Sequence, residues 1–520
     1  MPRKNAKAEK EVKVQAVIFL GASAISMMVA ETRGRDCRVL DVLSQPINLA
    51  QDIFANGNVT RDTMDRCVQI VRGYNDLLAE YRAAGTPQVR LLATNIFINI
   101  HNMDTLVNRL HIACGLHLEV MDNGEMTRLL YLSLQSTMAR HEDLQKKRVL
   151  VLHVGPGNTR VLVFDKGRIT HYAGYRMGAH RTGISIGEEE TGGSESESSL
   201  IREHIRGTVE QMTYDLESAL PTPPDALVIF GPDFHLPRSP LAIGDHVTLE
   251  GLTKLEHEIA RTPLNRRVER YKEDYAGVYA LLPAVVSYQT VARAVSPQSI
   301  LCPPEEYEHS FLRYLLPAQM DDAALEDEVI HFARLLAARY RTDPAHSRHI
   351  RRLCMSLFDR LSELHGLSPH DRLLLNVASI LHEVGTFISP RGHHHHSQYI
   401  ILNSEIFGLS RRDIEVVGLL ARYHRHGAPS EEDRSYMKLG LQDRLRVQKL
   451  AALLRVAEAM ERAHSHRVGD FTVRFNNRRI ELLVPEVHDL TLENMALRSK
   501  GSLFTDIFGY EIALIPVSAE

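Results

Sequence analysis

The chain has 520 residues, of which 44% are hydrophobic and 24% are charged, and its formal net charge is -4. This balance predicts ordered globular structure, and a chain of this length accommodates about three or four domains. The near-neutral charge excludes a general nucleic-acid binder and a membrane-surface protein, so neither kind of partner is expected.

The cysteines and the N-terminus indicate a cytoplasmic protein. The five cysteines are isolated in the sequence, which is typical of free thiols in a reducing compartment. Residues 1–13 are basic and polar without an apolar core, so we predict a disordered tail and no secretory signal. No run of apolar residues is long enough to predict a membrane-spanning helix.

An internal echo organises the first part of the chain. A continuous apolar run over 14–20 predicts a buried strand that ends at Gly21, and two further apolar runs follow it. A second buried strand over 149–154 ends at Gly155, and two strands joined by the turn Asp165-Lys166-Gly167 follow. The repeated plan predicts two related α/β lobes, residues 14–150 and 151–315.

Helical patterns lie between these strands. Apolar residues recur at helical spacing over 60–81 and over 103–114, whereas 91–94 is typical of a short strand. The segment 187–199 is acidic and of low complexity, which predicts a solvated loop.

The C-terminal part has a different pattern. Residues 321–466 have an almost wholly helical pattern and are rich in histidine, which predicts a separate helical domain. Residues 467–520 contain alternating segments, which predict a small α+β cap.

The two glycine turns are candidate phosphate sites, because backbone N–H groups exposed after a buried strand can surround a phosphate. A tight turn alone explains the glycines equally well, and helix capping is the alternative role for Thr94. The candidate phosphate-binding residues are Gly21, Ser23, Thr94, Gly155, Gly157, Asn158 and Thr159.

These segments resemble the exopolyphosphatase / guanosine pentaphosphate phosphatase family over nearly the whole chain. Residues 17–24 resemble its first phosphate loop, 152–160 its second, and 175–178 its Arg-Met-Gly stretch. The resemblance implies two ribonuclease-H-like lobes of the actin and sugar-kinase type, with Mg²⁺ as cofactor. It also implies polyphosphate or a guanosine polyphosphate nucleotide as ligand, and a homodimer.

The chemical positions of that family are substituted in this chain. The resemblance places Phe19 and His153 where the family has Asp, Arg160 and Met126 where it has Glu, and Ile98 where it has a phosphate-binding Arg. Hydrolysis of a phosphoanhydride needs cations that neutralise developing charge and a base that orients water. Glu125 is the nearest surviving carboxylate and the only catalytic candidate, so we expect impaired hydrolysis and doubt the Mg²⁺ site.

The helical domain resembles the HD metal-dependent phosphohydrolase superfamily, whose pattern is H…HD…D. The matching residues are His346, His382, Glu383 and Glu458, with His424 and His396 as further candidate ligands. Both acids are Glu where the pattern has Asp. Imidazoles with carboxylates favour a transition metal, whereas packing and hydrogen bonding are the alternative roles of these histidines.

Three functions therefore stay open. The chain is a phosphoanhydride- or alarmone-binding regulatory protein with a degraded hydrolase site, an active exopolyphosphatase that uses substituted residues, or a phosphohydrolase that acts through the HD-like domain. A phosphate-release assay distinguishes them.

Overall fold

The computed structural model describes residues 13–33, 36–81, 88–186, 194–231, 246–271, 275–302, 307–316, 323–425 and 427–517. The chain separates into two compact units, residues 1–322 and 323–520. The predicted tail lies outside the described residues except for Lys13, which begins the first strand instead. Residues 467–520 belong to the same unit as the helices before them.

A five-stranded sheet forms the core of the first lobe. The strands are β1 (Lys13–Leu20), β2 (Ala24–Arg33), β3 (Asp36–Pro46), β4 (Gln88–Ala93) and β5 (Leu118–Val120), in the order β3-β2-β1-β4-β5. The first three are antiparallel, and β4 and β5 run parallel to β1. Strand β1 is buried on both faces, which explains its continuous apolar run.

A six-stranded sheet forms the core of the second lobe. Its strands are β6 (Arg148–Val154), β7 (Thr159–Asp165), β8 (Arg168–Tyr175), β9 (Ala226–Phe230), β10 (His246–Val247) and β11 (Ile300–Leu301). The series β8-β7-β6-β9-β11 repeats the order and the directions of the first sheet, and β10 is added at the edge. The two lobes therefore share one topology, as the sequence echo predicts.

Ten helices surround these sheets in the described ranges of the first unit. They are α1 (Leu49–Asn56), α2 (Arg61–Leu78), α3 (Met103–Cys114), α4 (Asn123–Arg140), α5 (Ala179–Ile186), α6 (Ser194–Glu217), α7 (Leu249–Arg261), α8 (Leu264–Tyr271), α9 (Tyr275–Val295) and α10 (Tyr307–Leu315), and a 3-10 helix spans Asn95–Asn99. The predicted acidic loop is partly wrong, because its second half from Ser194 onward forms the start of α6. Its first half lies outside the described residues.

Helix α9 differs from the prediction that no segment is long and apolar enough to span a membrane. Its segment Gly277–Val295 is long and apolar enough to cross a membrane by length and composition, and 72% of that segment is buried inside the protein. Ten of its residues belong to the apolar core of the second lobe, beside β6 and β9. Burial of this kind is typical of a core helix.

The second unit is built mainly from helices. They are α11 (Ala323–Arg339), α12 (Pro344–Arg360), α13 (Ser362–His365), α14 (Pro369–Leu381), α15 (His393–Leu402), α16 (Arg411–Tyr423), α17 (Arg434–Met437) and α18 (Leu441–Met460). Asp343 caps the start of α12, and Ser368 and Ser410 form capping boxes at the starts of α14 and α16. These caps fix where each helix begins, and so which side chains point toward the interior.

A three-stranded sheet completes the second unit. Strands β12 (Thr472–Asn476), β13 (Arg479–Pro485) and β14 (Glu511–Val517) lie in the order β12-β13-β14. Helices α19 (Thr491–Lys500) and α20 (Ser502–Phe508) connect β13 to β14 and pack against α18. Lys500 at the end of α19 thereby reaches the centre of the helical part.

Candidate functional site

Both glycine turns are tight links between antiparallel strands. The Gly21 N–H donates to the Ala24 carbonyl at 2.9 Å, and the Gly155 N–H donates to the Asn158 carbonyl at 3.0 Å. The same hydrogen bond thus closes both turns, so the echo extends to their geometry. The N–H groups of Gly21 and Gly155 therefore donate within their own turns and are not available to a ligand.

The second turn keeps few backbone donors for a ligand. Pro156 has no N–H group, which leaves those of Gly157 and Asn158. The carbonyls of Gly155 and Pro156 accept from the first-turn N–H groups of Ala179 and Arg181 in α5, at 2.9 and 3.0 Å. The turn therefore caps the N-terminus of α5, whose N–H groups would otherwise lack partners.

Gly157 is enclosed by side chains of the first lobe. A Cβ atom here would lie 2.8 Å from the ring of Phe54 and 3.4 Å from Ile96, and a Cβ on Gly178 would meet the Gly157 backbone at 2.4 Å. The Arg181 guanidinium lies 4.7 Å from the Phe54 ring centroid and donates to the Gly157 carbonyl. Packing alone requires glycine at 157, and apolar groups occupy the space beside it.

The remaining phosphate candidates have hydroxyl groups that are largely engaged. The Thr159 hydroxyl donates to the Met177 carbonyl in the interior. The Thr94 hydroxyl donates to Asn95 Oδ1 at 3.1 Å, and both residues are buried. Ser23 is half-buried in the first turn.

Two substituted positions of the first lobe lie in one apolar cluster. The ring centroids of Phe19 and Phe311 are 4.9 Å apart in an edge-to-face arrangement, and Met126 is only 7% exposed in the same cluster. Leu312 and Leu315 of α10 complete this packing. Residues that correspond to acids in the resembled family therefore hold α10 against the first sheet by hydrophobic contact.

Glu125 has a structural role at the start of α4. Its carboxylate accepts from the Asp122 N–H at 2.8 Å, and its own N–H donates to the Asp122 carboxylate at 2.9 Å. This reciprocal pair is a capping arrangement of the kind that satisfies free N–H groups at a helix N-terminus. The carboxylates of Asp122 and Glu125 are thereby both hydrogen-bonded to backbone N–H groups.

His153 is neutral at pH 7. Burial and the nearby Arg160 lower the pKa of this imidazole to about 3. Mg²⁺ prefers oxygen ligands from carboxylates, and the positions of Phe19 and Met126 supply none. The described residues at these family positions, namely Phe19, Met126 and His153, therefore do not fit the Mg²⁺ that the family resemblance implies.

A second group of side chains converges in the helical unit. His346 lies in the first turn of α12, His382 and Glu383 follow α14, and Glu458 lies on α18. Nε2 of His382 is 2.8 Å from Glu458 Oε1, and Nε2 of His346 is 3.5 Å from the same oxygen and 3.7 Å from Glu383 Oε2. The structure thus brings together all four residues of the H…HD…D match.

Three imidazoles at this centre have their Nδ1 atoms bound to backbone carbonyls. The acceptor in each case belongs to the residue three positions earlier, and the pairs are His382 with Ser379 at 2.9 Å, His393 with Pro390 at 3.0 Å and His424 with Ala421 at 2.6 Å. Because Nδ1 carries the proton in this arrangement, Nε2 keeps a lone pair. Such carbonyl contacts are the usual outer partners of metal-binding histidines.

Several buried atoms at this centre lack a hydrogen-bond partner within the described ranges. They are both ring nitrogens of His346, Nε2 of His382 and Oε1 of Glu458. His382 Nε2 and Glu458 Oε1 lie 2.8 Å apart without hydrogen-bond geometry. Buried polar atoms normally have hydrogen-bond partners. Nitrogen and oxygen atoms that lack such partners and are gathered from three structural elements fit the coordination of a bound cation. Nitrogen with carboxylate oxygen suits Zn²⁺ or another transition metal.

His393 is the ligand candidate that the sequence reading missed. Its Nε2 lies 3.1 Å from Nε2 of His424, and both rings are buried. In the described part of the chain, no hydrogen bond or ion pair connects the His396 side chain to this group. The position of His393 within α15 is the signal that could have identified it. His393 lies on the same face of the helix as the buried Ser397 and Ile400.

The electrostatics of the centre favour an ionised Glu458 and a neutral His424, whereas burial of His346 is outweighed by Glu458 and Glu383, which raise the pKa of that imidazole. Burial opposes ionisation of Glu458, but His382, His346 and Lys500 outweigh it and hold the pKa of that carboxyl well below its usual range. Burial lowers the pKa of His424 well below its usual value. An ionised carboxylate and neutral imidazoles are the forms that bind metals. Lys500 Nζ lies 3.4 Å from Glu458 Oε2, so a cation already borders this site.

Comparisons with known proteins match both parts of the chain. A model of the Ppx/GppA phosphatase family matches residues 28–228, and a model of Ppx/GppA phosphatase, domain III, matches residues 332–500.

Three similar proteins are guanosine-5'-triphosphate,3'-diphosphate pyrophosphatases. That of Pseudoalteromonas translucida is 31% identical over 23% of each chain, and that of Photobacterium profundum is 25% identical over 34% of this chain and 35% of its own. That of Aliivibrio fischeri is 19% identical over 84% of this chain and 86% of its own. The chain thus spans about a quarter and a third of the first two relatives and most of the third.

Two solved structures are similar to the chain over 58% of its length, both at 14% identity. The Aquifex aeolicus Ppx/GppA family member has a TM-score of 0.45 and is covered over 96% of its length. An exopolyphosphatase from Cytophaga hutchinsonii has a TM-score of 0.49 and is covered over 97%. Because family models match the part with the repeated sheets and the part with the histidine cluster, the chain belongs to the Ppx/GppA phosphatase family.

Proposed function

We propose that this chain is a metal-dependent phosphohydrolase whose reaction centre is the HD-like histidine and glutamate cluster of the helical unit. The observation that carries the proposal is the gathering of buried ligand atoms without hydrogen-bond partners at His346, His382 and Glu458. Leaving such atoms unpaired costs roughly 1–3 kcal/mol each, which a bound cation removes.

The residues of the cluster divide the work by chemistry. His346, His382, Glu383 and Glu458 are the ligand set, and a metal bound there supplies an activated water and a positive charge for the phosphate. The Nδ1 contacts of His382 and His424 hold the rings in one orientation. Lys500 supplies a fixed ammonium group beside the carboxylate, where it favours an anionic substrate.

Access supports this assignment as well. The Glu383 side chain is 25% exposed, whereas His382 is fully buried. The cluster therefore has one ligand at the solvent boundary and the rest inside. This arrangement fits a centre that a phosphate group approaches from the side of Glu383, with polyphosphate and guanosine polyphosphate nucleotides as the substrate classes to test first.

A phosphate-release assay with added Mn²⁺ or Mg²⁺ tests the proposal. His382→Ala is expected to lower release of phosphate from polyphosphate or guanosine pentaphosphate by at least about 10²-fold, and to lower metal content. His370→Asn is the matched control, because the exposed His370 lies on the same helix but binds Asp413 of α16 instead of the cluster. Release that persists in His382→Ala at the level of the control contradicts the proposal.

We propose a second role for the two N-terminal lobes, namely the binding of a phosphoanhydride or an alarmone without hydrolysis at family rates. The supporting observation is that Phe19 and Met126 are packed in an apolar cluster and supply no carboxylate, while the second turn keeps the N–H groups of Gly157 and Asn158. A lobe pair that binds but hydrolyses poorly acts as a sensor. Measured binding of polyphosphate by a His382→Ala protein, which retains these lobes, tests this role.

A further inference from the structure

Arg160 is a buried cation for which the described residues supply no carboxylate partner. The residue is 4% exposed, and no carboxylate of the described chain lies within ion-pair distance of its guanidinium. Nη2 of Arg160 makes a long polar contact with Asn123 Oδ1, at 3.5 Å. An isolated buried charge is costly, so a guanidinium in this position calls for an anion.

The surroundings of Arg160 add positive potential. Asn123 is the first residue of α4, an 18-residue helix whose N-terminal end carries a partial positive charge. His153 lies opposite Arg160 in the β6–β7 pair and stays neutral, because burial and Arg160 lower its pKa. The acids of this helix start, Asp122 and Glu125, bind backbone N–H groups.

Polar side chains from the first lobe lie beside Asn123 and Arg160. Asn95 Nδ2 donates to Asn123 Oδ1 at 2.6 Å, and the Thr94 hydroxyl binds Asn95 Oδ1. Asn95 is buried and Asn123 is exposed, so the group opens to solvent at one side. The remaining amide N–H groups of Asn95 and Asn123 are donors that can complement phosphate oxygens beside a guanidinium.

We infer that Arg160, with Asn95 and Asn123, forms a phosphate-binding site that works without a divalent metal. The inference rests on the proposed binding role of the N-terminal lobes. The resembled family has Asp and Glu where this chain has His153 and Arg160, and acids there suit a site that holds phosphate through a metal. In this chain the guanidinium itself supplies the positive charge, and its fork of N–H groups matches phosphate oxygens.

Calorimetric titration with a polyphosphate of defined length, in EDTA and in Mg²⁺, tests the inference on the full chain. The wild-type protein is expected to bind in EDTA, and Arg160→Gln to bind at least tenfold more weakly. Arg168→Gln, which removes an exposed arginine at the start of β8, controls for general loss of charge and is expected to bind like wild type. Equal affinity of Arg160→Gln and wild type overturns the inference.

Thermal unfolding provides a readout that does not depend on affinity. Without anion, Arg160→Gln is expected to unfold at or above the wild-type temperature, because an unpaired buried charge is removed. With polyphosphate, wild type and Arg168→Gln are expected to gain more stability than Arg160→Gln. Binding that occurs only with Mg²⁺ refutes the metal-free site but preserves the binding role, whereas no binding under either condition refutes both.

Discussion

Met126→Glu would restore an acid at a position where the resembled family has one. The side chain is 7% exposed and lies with Phe19, Phe311 and Leu312 in the cluster that holds α10 against the first sheet. A glutamate there would meet apolar neighbours instead of a metal or a water channel. We therefore expect the substitution to destabilise the first unit without producing hydrolysis.

The expected magnitude follows from two terms. Losing the burial of a methionine side chain costs about 1.5–3 kcal/mol. Burial is expected to raise the pKa of a carboxyl group at this position from about 4.3 to about 6, which costs a further ~2 kcal/mol at neutral pH. The sum, about 3–5 kcal/mol, is a large part of a typical unfolding free energy of about 5–15 kcal/mol.

Denaturant unfolding of Met126→Glu and wild type, followed by hydrogen exchange of the β1 and β4 amides, measures this cost. Met495→Glu is the control, because Met495 is exposed on α19 and a substitution there is expected to change stability by less than about 0.5 kcal/mol. If Met126→Glu keeps wild-type stability and gains metal-dependent phosphate release, then position 126 faces a cleft and the cluster argument fails.

Three further predictions concern single residues. Glu125→Ala should lower the unfolding free energy by about 1 kcal/mol through loss of the capping pair, with phosphate release unchanged in the assay above. Because the His153 pKa is about 3 in the folded chain and 6.5 in the unfolded chain, protonation on unfolding should remove about 2 kcal/mol of stability between pH 7 and pH 5. His153→Asn should abolish this part of the pH dependence in denaturation curves, and an unchanged slope would contradict the buried neutral state. His393→Ala should lower bound metal by elemental analysis more than His396→Ala, and equal losses would argue against His393 as a ligand.

Much of the first unit is predictable from local sequence. Buried parallel strands need continuous apolar runs, which is why β1, β6 and β9 stand out. The helix over Met103–Cys114 matches its predicted bounds, because Gly115 adopts the left-handed conformation that ends it. Strands of two or three residues, such as β10 and β11, carry too little pattern to be found.

The sequence could not predict whether the two glycine turns bind phosphate or only link strands. Gly155 and Gly157 look alike in a motif, but one closes the turn and the other is required by the Phe54 ring and the Gly178 backbone. Both contacts come from residues distant in the chain. Tertiary packing of this kind has no local signature, so the sequence left the binding and turn roles open.

The candidate histidine and glutamate cluster was partly predictable. The H…HD…D spacing identified His346, His382, Glu383 and Glu458, and the structure places their ligand atoms together. The choice within the run of four histidines depends on the phase of α15, which the sequence motif does not give. Gly392, in a left-handed conformation, precedes that helix and sets its first turn.

The carbonyl contacts of the three anchored imidazoles have a consequence for mutational tolerance. The acceptors belong to the backbone of Ser379, Pro390 and Ala421, and every residue type has such a carbonyl. Side-chain changes at these three positions can therefore preserve the contact, provided that the backbone keeps its path. Relatives that share this centre are free to differ at all three positions, so sequence comparison alone cannot reveal the partners that orient the histidines.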